Sequence, residues 1–240
     1  MRAPLVRYVF SKCYREAERA ATLREDATFM AAVEALKAAY RGEIATNLAL
    51  CHGDLHAGSV MVAPGGASVM RMASAAPPIV KVIDPEFAIY GPPGLDLGCL
   101  FSSYVLAALA RSVALGTTRD ERARELGELR DAVAAIWEAY TGAMSERGVP
   151  AAVLEAISAD AAGFAGCEVA RTALGFAGVR GLPIEDADVK AKAEATALDI
   201  AVRCIRGRSA GVEGILAEIA EIAEIAEIAE IVEIASSGGD

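Results

Sequence analysis

The two histidines of the 240-residue chain, His52 and His56, flank Asp54 in the stretch LCHGDLHAGS (residues 50–59). Further on, the apolar run IVKVI ends in Asp84-Pro85-Glu86. A loop aspartate can hold a hydroxyl group and accept its proton as the oxygen attacks. Two later acids supply hard oxygen ligands of the kind Mg²⁺ takes while keeping several waters and binding nucleotide phosphates. A loop base followed by a metal-holding acid is what phosphoryl transfer to an alcohol demands of this half of a site.

The spacing sharpens that reading. In the catalytic loop H-R-D-x-x-x-x-N, a polar metal ligand stands five residues after the aspartate. Here Ser59 occupies that place after Asp54, and Asp84 stands where the metal-binding D-F-G aspartate would. If the segment after Ile83 is extended, residues i and i+2 point the same way, so Asp84 and Glu86 address one site. Each piece has a plainer reading. H-G-D alone is weak, and D-P-E at a strand end is more often a turn with a capping acid. His52 and His56 would make a metal pair only on a helix, which Gly53 opposes, so His52 is expected to support the loop from beneath. Asp96, in YGPPGLDLG, either caps a helix or braces the loop through backbone N–H groups, and the brace is the expectation. The order of the pieces carries the specificity: loop aspartate, hairpin, acidic pair, then a Gly/Pro turn with another aspartate.

The elements that must position these residues are legible from pattern. Apolar residues at helical spacing predict helix over 14–42, in two parts, with Gly42 as a stop. LALCHGD runs into a turn, SVMVAP and PPIVKVID read as short strands forming a hairpin, and GG at 65–66 marks a turn. ASVMRMASAA (67–76) is longer than a tight hairpin needs and reads as a surface excursion. Four helical stretches follow, over 99–115, 119–148, 150–179 and 186–207. The expected class is α+β, mostly helical: one body over 1–212 with an embedded hairpin, then a low-complexity tail over 213–240. In that tail the repeated Ala-Glu-Ile should rotate its isoleucines around the axis and leave no fixed apolar face.

Composition sets outer limits. No uncharged apolar run reaches the ~18–20 residues of a membrane span. Arg7 interrupts the leading apolar run, which opposes a secretory signal. Five scattered cysteines (Cys13, Cys51, Cys99, Cys167, Cys204) fit a reducing cytoplasm better than a disulfide framework or zinc site. The net charge of −10 is concentrated in the tail, where six glutamates lie in the repeat over 217–234 alone. No basic stripe with interleaved aromatics suggests a nucleic-acid partner.

HGDLHAGSVMV, VIDPEFAIYGPPGLDLG and GCEVARTALGFAGV resemble the carboxy-terminal lobe of the 5-methylthioribose kinase family. That family belongs to the aminoglycoside-phosphotransferase and choline-kinase branch of the protein-kinase-like fold. The resemblance extends from LREDATFMAAVEALKAAYRGE to about residue 205. It implies phosphorylation of the anomeric hydroxyl of 5-methylthioribose by ATP with Mg²⁺, a step of methionine salvage. Asp54 would be the base and hold the substrate hydroxyl; Asp84, Pro85 and Glu86 would hold ATP, with Asp84, Glu86 and Ser59 on the metal. Arg171 would match the first arginine of a pair that grips the sugar, its guanidinium fork suiting a polyhydroxylated ligand. A homodimer remains open, and no membrane partner is implied.

The sequence departs from the family pattern at several places. Thr172 replaces the second arginine, Gly178 a histidine, and Ala57 a loop threonine, and the hairpin carries an insertion around RMASAAPP. The roughly 45 residues before the loop read as helix, with no Gly-rich loop between strands. The lobe that covers ATP is therefore expected to be missing. Two rivals follow: another small-molecule kinase of the branch, acting on a choline-, homoserine- or aminoglycoside-like alcohol, and an inert lobe serving as an interaction module.

Overall fold

A computed structural model of the chain describes residues 7–43, 47–63, 79–178 and 181–237. The GG turn at 65–66 and the excursion over 67–76 lie outside them. The leading segment is helical but broken. A π-helical turn over Tyr8–Lys12 runs into Cys13–Glu16, Ala17 is extended, and short turns over Glu18–Ala20 and Ala21–Glu25 follow. Helix α1, Ala27–Tyr40, starts where the Asp26 side chain accepts the Phe29 N–H at 2.9 Å, and Gly42 ends it at φ 75°.

The strands form two nested antiparallel pairs. The outer one joins β1 (Ala49–Cys51) to β4 (Ile89–Gly91), with Leu50 opposite Tyr90; the inner one joins β2 (Val60–Ala63) to β3 (Ile79–Val82), with Val60 opposite Val82. Nesting brings the loop over 52–59 beside the segment over 83–88. The Ile83 N–H donates to the Ser59 carbonyl at 2.9 Å, extending the inner ladder to the point where the two meet.

The body is helical: α2 (Gly94–Ser112), α3 (Arg119–Glu146), α4 (Ala151–Ala173), α5 (Ala187–Arg206) and α6 (Gly211–Ser237). Helix α4 lies at its centre and is the most completely buried, in keeping with a sequence that is small and apolar nearly all round. Close crossings explain its small residues. A Cβ on Gly98 of α2 would sit 2.6 Å from the Ala161 carbonyl oxygen, and one on Gly166 would sit 2.8 Å from that of Ala201. Phe10 packs its ring against Tyr40 and Phe164, tying the leading segment to α1 and α4. Helix α2 is long and apolar enough to cross a membrane by length and composition. Its Leu95, Leu97, Phe101, Val105 and Leu109 are nonetheless buried in the core.

The tail differs from expectation in its first half. At about 100° per residue, Ile215, Ile219, Ile222 and Ala226 fall within about 60° of one another. All four are buried, and α6 packs on α2, α3 and α4. The rotation of the repeat shows at Ile225, which is 48% exposed, and alanine takes the next inward position. Nor do all the tail glutamates lack a cation. Glu218 accepts from Arg203 Nε at 2.8 Å and from its Nη2 at 2.6 Å, and Glu221 from the same Nη2 at 3.3 Å. The packed body therefore runs past residue 212, at least to Ala226.

Candidate active site

The loop after β1 is held by contacts its own sequence does not provide. Asp96, in the first turn of α2, accepts the His52 N–H at 2.6 Å and the Gly53 N–H at 2.8 Å, one on each carboxylate oxygen. It is the expected brace. Burial pushes its carboxyl up, while those two backbone hydrogen bonds pull it down. Gly53 has φ 87°, and a Cβ there would lie 2.1 Å from the Phe87 carbonyl oxygen, so the loop can press against the segment after Asp84 only with glycine in this place.

His52 lies between the two acidic segments. Its Nε2 is 2.8 Å from the Ile83 carbonyl oxygen, and the Asp54 N–H points at its Nδ1 at 3.4 Å. With the Asp54 N–H directed at Nδ1, Nε2 is the nitrogen that donates to the Ile83 carbonyl, so one imidazole ties the loop to the strand end that carries Asp84. The Asp54 carboxylate is mostly buried, 3.8 Å from the Cys99 thiol and 4.0 Å from His56 Nε2. Ser59 is buried and its hydroxyl donates to the Asp54 carbonyl oxygen at 3.2 Å. Its oxygen therefore turns inward to brace the loop, where the spacing had suggested a metal ligand.

Asp84, Pro85 and Glu86 are exposed at the end of β3. They are not extended. Asp84 has φ 66° and ψ 50°, the left-handed conformation, and Pro85–Phe87 form one 3₁₀ turn. Among the described residues Asp84 is the only non-glycine with positive φ. Aspartate tolerates that conformation better than most residues, and the fixed φ of proline suits the first position of a helical turn. The two carboxylates thus share a tight turn, and the i, i+2 alternation of a strand does not relate them.

Arg171, near the end of α4, is buried, where its sequence alone would suggest an exposed helix surface. Its Nε donates to Glu168 Oε2 at 3.0 Å, its Nη2 contacts the same oxygen, and its Nη1 reaches the Phe176 carbonyl at 3.5 Å. Arg171, Glu168, Thr172, His56, Cys99 and Ser103 line a pocket of about 270 Å³ together with the apolar Leu106, Ala107, Ala110, Leu182 and Pro183. Asp54 opens on an adjoining crevice that shares Cys99 and Glu168 with this pocket. The loop aspartate and the helical arginine, distant in sequence, thus line adjoining cavities that share Cys99 and Glu168.

Residues 2–145 match the model of the phosphotransferase enzyme family, APH. The chain belongs to this family. It is also 36% identical over 170 residues to the methylthioribose kinase of Geobacillus kaustophilus, covering 65% of this chain and 37% of that protein. The Bacillus cereus (strain AH820) methylthioribose kinase is 32% identical over 175 residues, 69% of this chain and 40% of the relative. That of Geobacillus thermodenitrificans is 35% identical over 174 residues, 67% and 38%. The chain thus spans about two fifths of the length of these relatives. The family match takes in Asp54, the hairpin, Asp84, Glu86 and Asp96 but stops before α4.

Sequence reading passed over Glu168, Cys99 and Ser103. Glu168 was accessible in principle, since an acid three residues before an arginine on a helix is a standard pair. Cys99 and Ser103 carry no local signal; they reach the site through the packing of α2 under the loop. Among the described residues no group of three or more His, Cys, Asp or Glu side chains is arranged to hold a metal by itself. An exposed carboxylate pair still suits Mg²⁺, which takes its remaining ligands from water and phosphate.

Proposed function

We propose that this phosphotransferase carries the acceptor half of a methylthioribose kinase site, acting with ATP and Mg²⁺ in methionine salvage in the cytoplasm. The observation that carries the reading is the meeting of the braced Asp54 loop with the Arg171 pocket. A small polyol with an apolar substituent suits a cavity lined by both polar and apolar side chains. Asp54 would orient the anomeric hydroxyl and take its proton through a carboxylate oxygen. Arg171 would donate to the sugar's oxygens, and the apolar lining residues would take the methylthio group. Asp84 and Glu86 would hold Mg·ATP, which when bound supplies the phosphoryl group and the charge that neutralises it. Ser59, inward-facing here, would steady Asp54.

A second reading is favoured by a separate observation. Leu50 (81% exposed), Tyr90 (60%), Val62, Met61, Ile79 and Val80 leave both strand pairs apolar on the outside. Exposed apolar surface of that extent marks a place of association. We propose that the portion of the kinase relatives not matched by this chain would cover this face, and that 1–240 alone is inactive or serves only as an interaction module.

The test is complementation. The unmatched amino-terminal part of the Geobacillus kaustophilus enzyme is fused ahead of 1–240. ATP consumption is then followed with methylthioribose, choline, homoserine and an aminoglycoside. Turnover confined to methylthioribose supports the reading. Turnover on another alcohol transfers the protein to a different branch, and none with any acceptor leaves the interaction module.

A further inference from the structure

Glu168 and Arg171 form an ion pair at a cavity wall, with side chains only 13% and 8% exposed. Burying both charges is costly, and a well-packed apolar pair would usually serve the fold as well. Their location suggests what the cost sustains, because both line the pocket beside Asp54. Burial by itself would push the guanidinium down, but the Glu168 charge and hydrogen bonds hold it up, with weaker pulls from Cys99 and Asp54. Arg171 therefore lies within electrostatic reach of two carboxylates, and its hydrogen bonds go to Glu168 and the Phe176 carbonyl.

A guanidinium carries five N–H groups in a rigid fork. Glu168 engages the Nε edge and Phe176 the far end, which fixes the plane and leaves the remaining donors for the pocket. Remove the Glu168 charge, and the Asp54 carboxylate becomes the competing partner of the buried cation among the described residues. That pairing would withdraw the fork from the sugar and occupy the group proposed to accept its proton.

We propose that Glu168 is a positioning residue: it holds the Arg171 guanidinium on the pocket wall, donors toward the acceptor, and off the Asp54 carboxylate. The identity of the acceptor rests on the methylthioribose reading above; the restraint on Arg171 does not.

The experiment uses the 1–240 chain with ¹⁵N-labelled arginine. The Arg171 Nε–H resonance is assigned by its loss in Arg171→Lys. Slow solvent exchange and hindered guanidinium rotation are expected in the wild type, both relaxed in Glu168→Gln and restored in Glu168→Asp. Calorimetric titration with 5-methylthioribose should show Glu168→Gln weakening binding by about tenfold, the usual scale for one charge-assisted hydrogen bond. Arg171→Ala should weaken it similarly, and the double variant no further. Melting curves check folding; if Glu168→Gln unfolds, the solvent exchange of the wild-type Arg171 Nε–H still reports on the restraint. An Arg171 signal that exchanges freely in the wild type, or is unchanged in Glu168→Gln, overturns the proposal. So does Gln-variant binding equal to wild type. Should the wild type bind no methylthioribose while its Arg171 is restrained and Glu168→Gln releases it, the sugar assignment fails and the positioning role stands.

Discussion

The nested strand pairs over 49–91 and the helical body over 94–226 are held by different forces. In the body, α4 is buried against its neighbours at crossings where a single added Cβ would strike backbone at 2.6–2.8 Å. The strand region buries little: every described residue of β3 is exposed, and three of the four in β2. It is held instead by directed hydrogen bonds, from two loop amides to the Asp96 carboxylate and from His52 to the Ile83 carbonyl. The chemistry-bearing acids therefore stand on the part with least apolar support, and their geometry is borrowed from α2. A two-stranded pair is marginal by itself, so this half of the molecule depends on what it is docked to.

That contrast can be broken at either end. The largest expected effect belongs to Asp54→Asn in the complemented kinase: turnover should fall by about 10²–10⁴-fold, as for loss of a positioned base. The melting temperature should stay near wild type, since asparagine keeps the shape of the carboxylate; turnover within a few-fold of wild type would reduce Asp54 to a structural residue. In the body, Gly98→Ala should cost about 1–3 kcal/mol by overpacking, read as a lower denaturation midpoint. A neutral result would mean that α2 and α4 can separate freely. Along α6, Ile222→Ala should cost about 2–5 kcal/mol, whereas Ile225→Ala should stay within about 0.5 kcal/mol. Equal effects would contradict the packed face at the start of the tail. The smallest effect concerns the thiols. Burial pushes Cys13, Cys51 and Cys204 up to about 12. Each stays protonated below that, so native protein at pH 8 should react with a thiol reagent there only as fast as it unfolds. Rapid labelling of Cys51 would show that the strand region opens by itself.

The sequence carried the local features well and the distant ones unevenly. The α+β, mostly helical class and the D-P-E segment at a strand end were readable, because hydrophobic period and Gly/Pro punctuation are local signals. The brace by Asp96 was also foreseen, from the Gly/Pro turn that sets it at a helix start. The left-handed Asp84 was not, since period-two alternation assumes a strand that had already ended at Val82. The inward turn of Ser59 escaped because motif spacing fixes a residue's place along the chain and says nothing about its rotamer. The buried faces of Arg171 and α6 depend on neighbours far away in sequence. Period-three drift takes several turns to carry isoleucine off the core, so Ile219 and Ile222 are buried before Ile225 emerges.

The proposal that 1–240 carries only the acceptor half of the site is tested most directly by titrating purified 1–240 with Mg·ATP in a calorimeter. A coupled ADP assay with 5-methylthioribose runs alongside. Asp84 and Glu86 are exposed carboxylates with no adenine cover described around them, so at most weak nucleotide binding and no measurable turnover are expected. Micromolar Mg·ATP binding with steady ADP release from the chain alone would contradict the half-site.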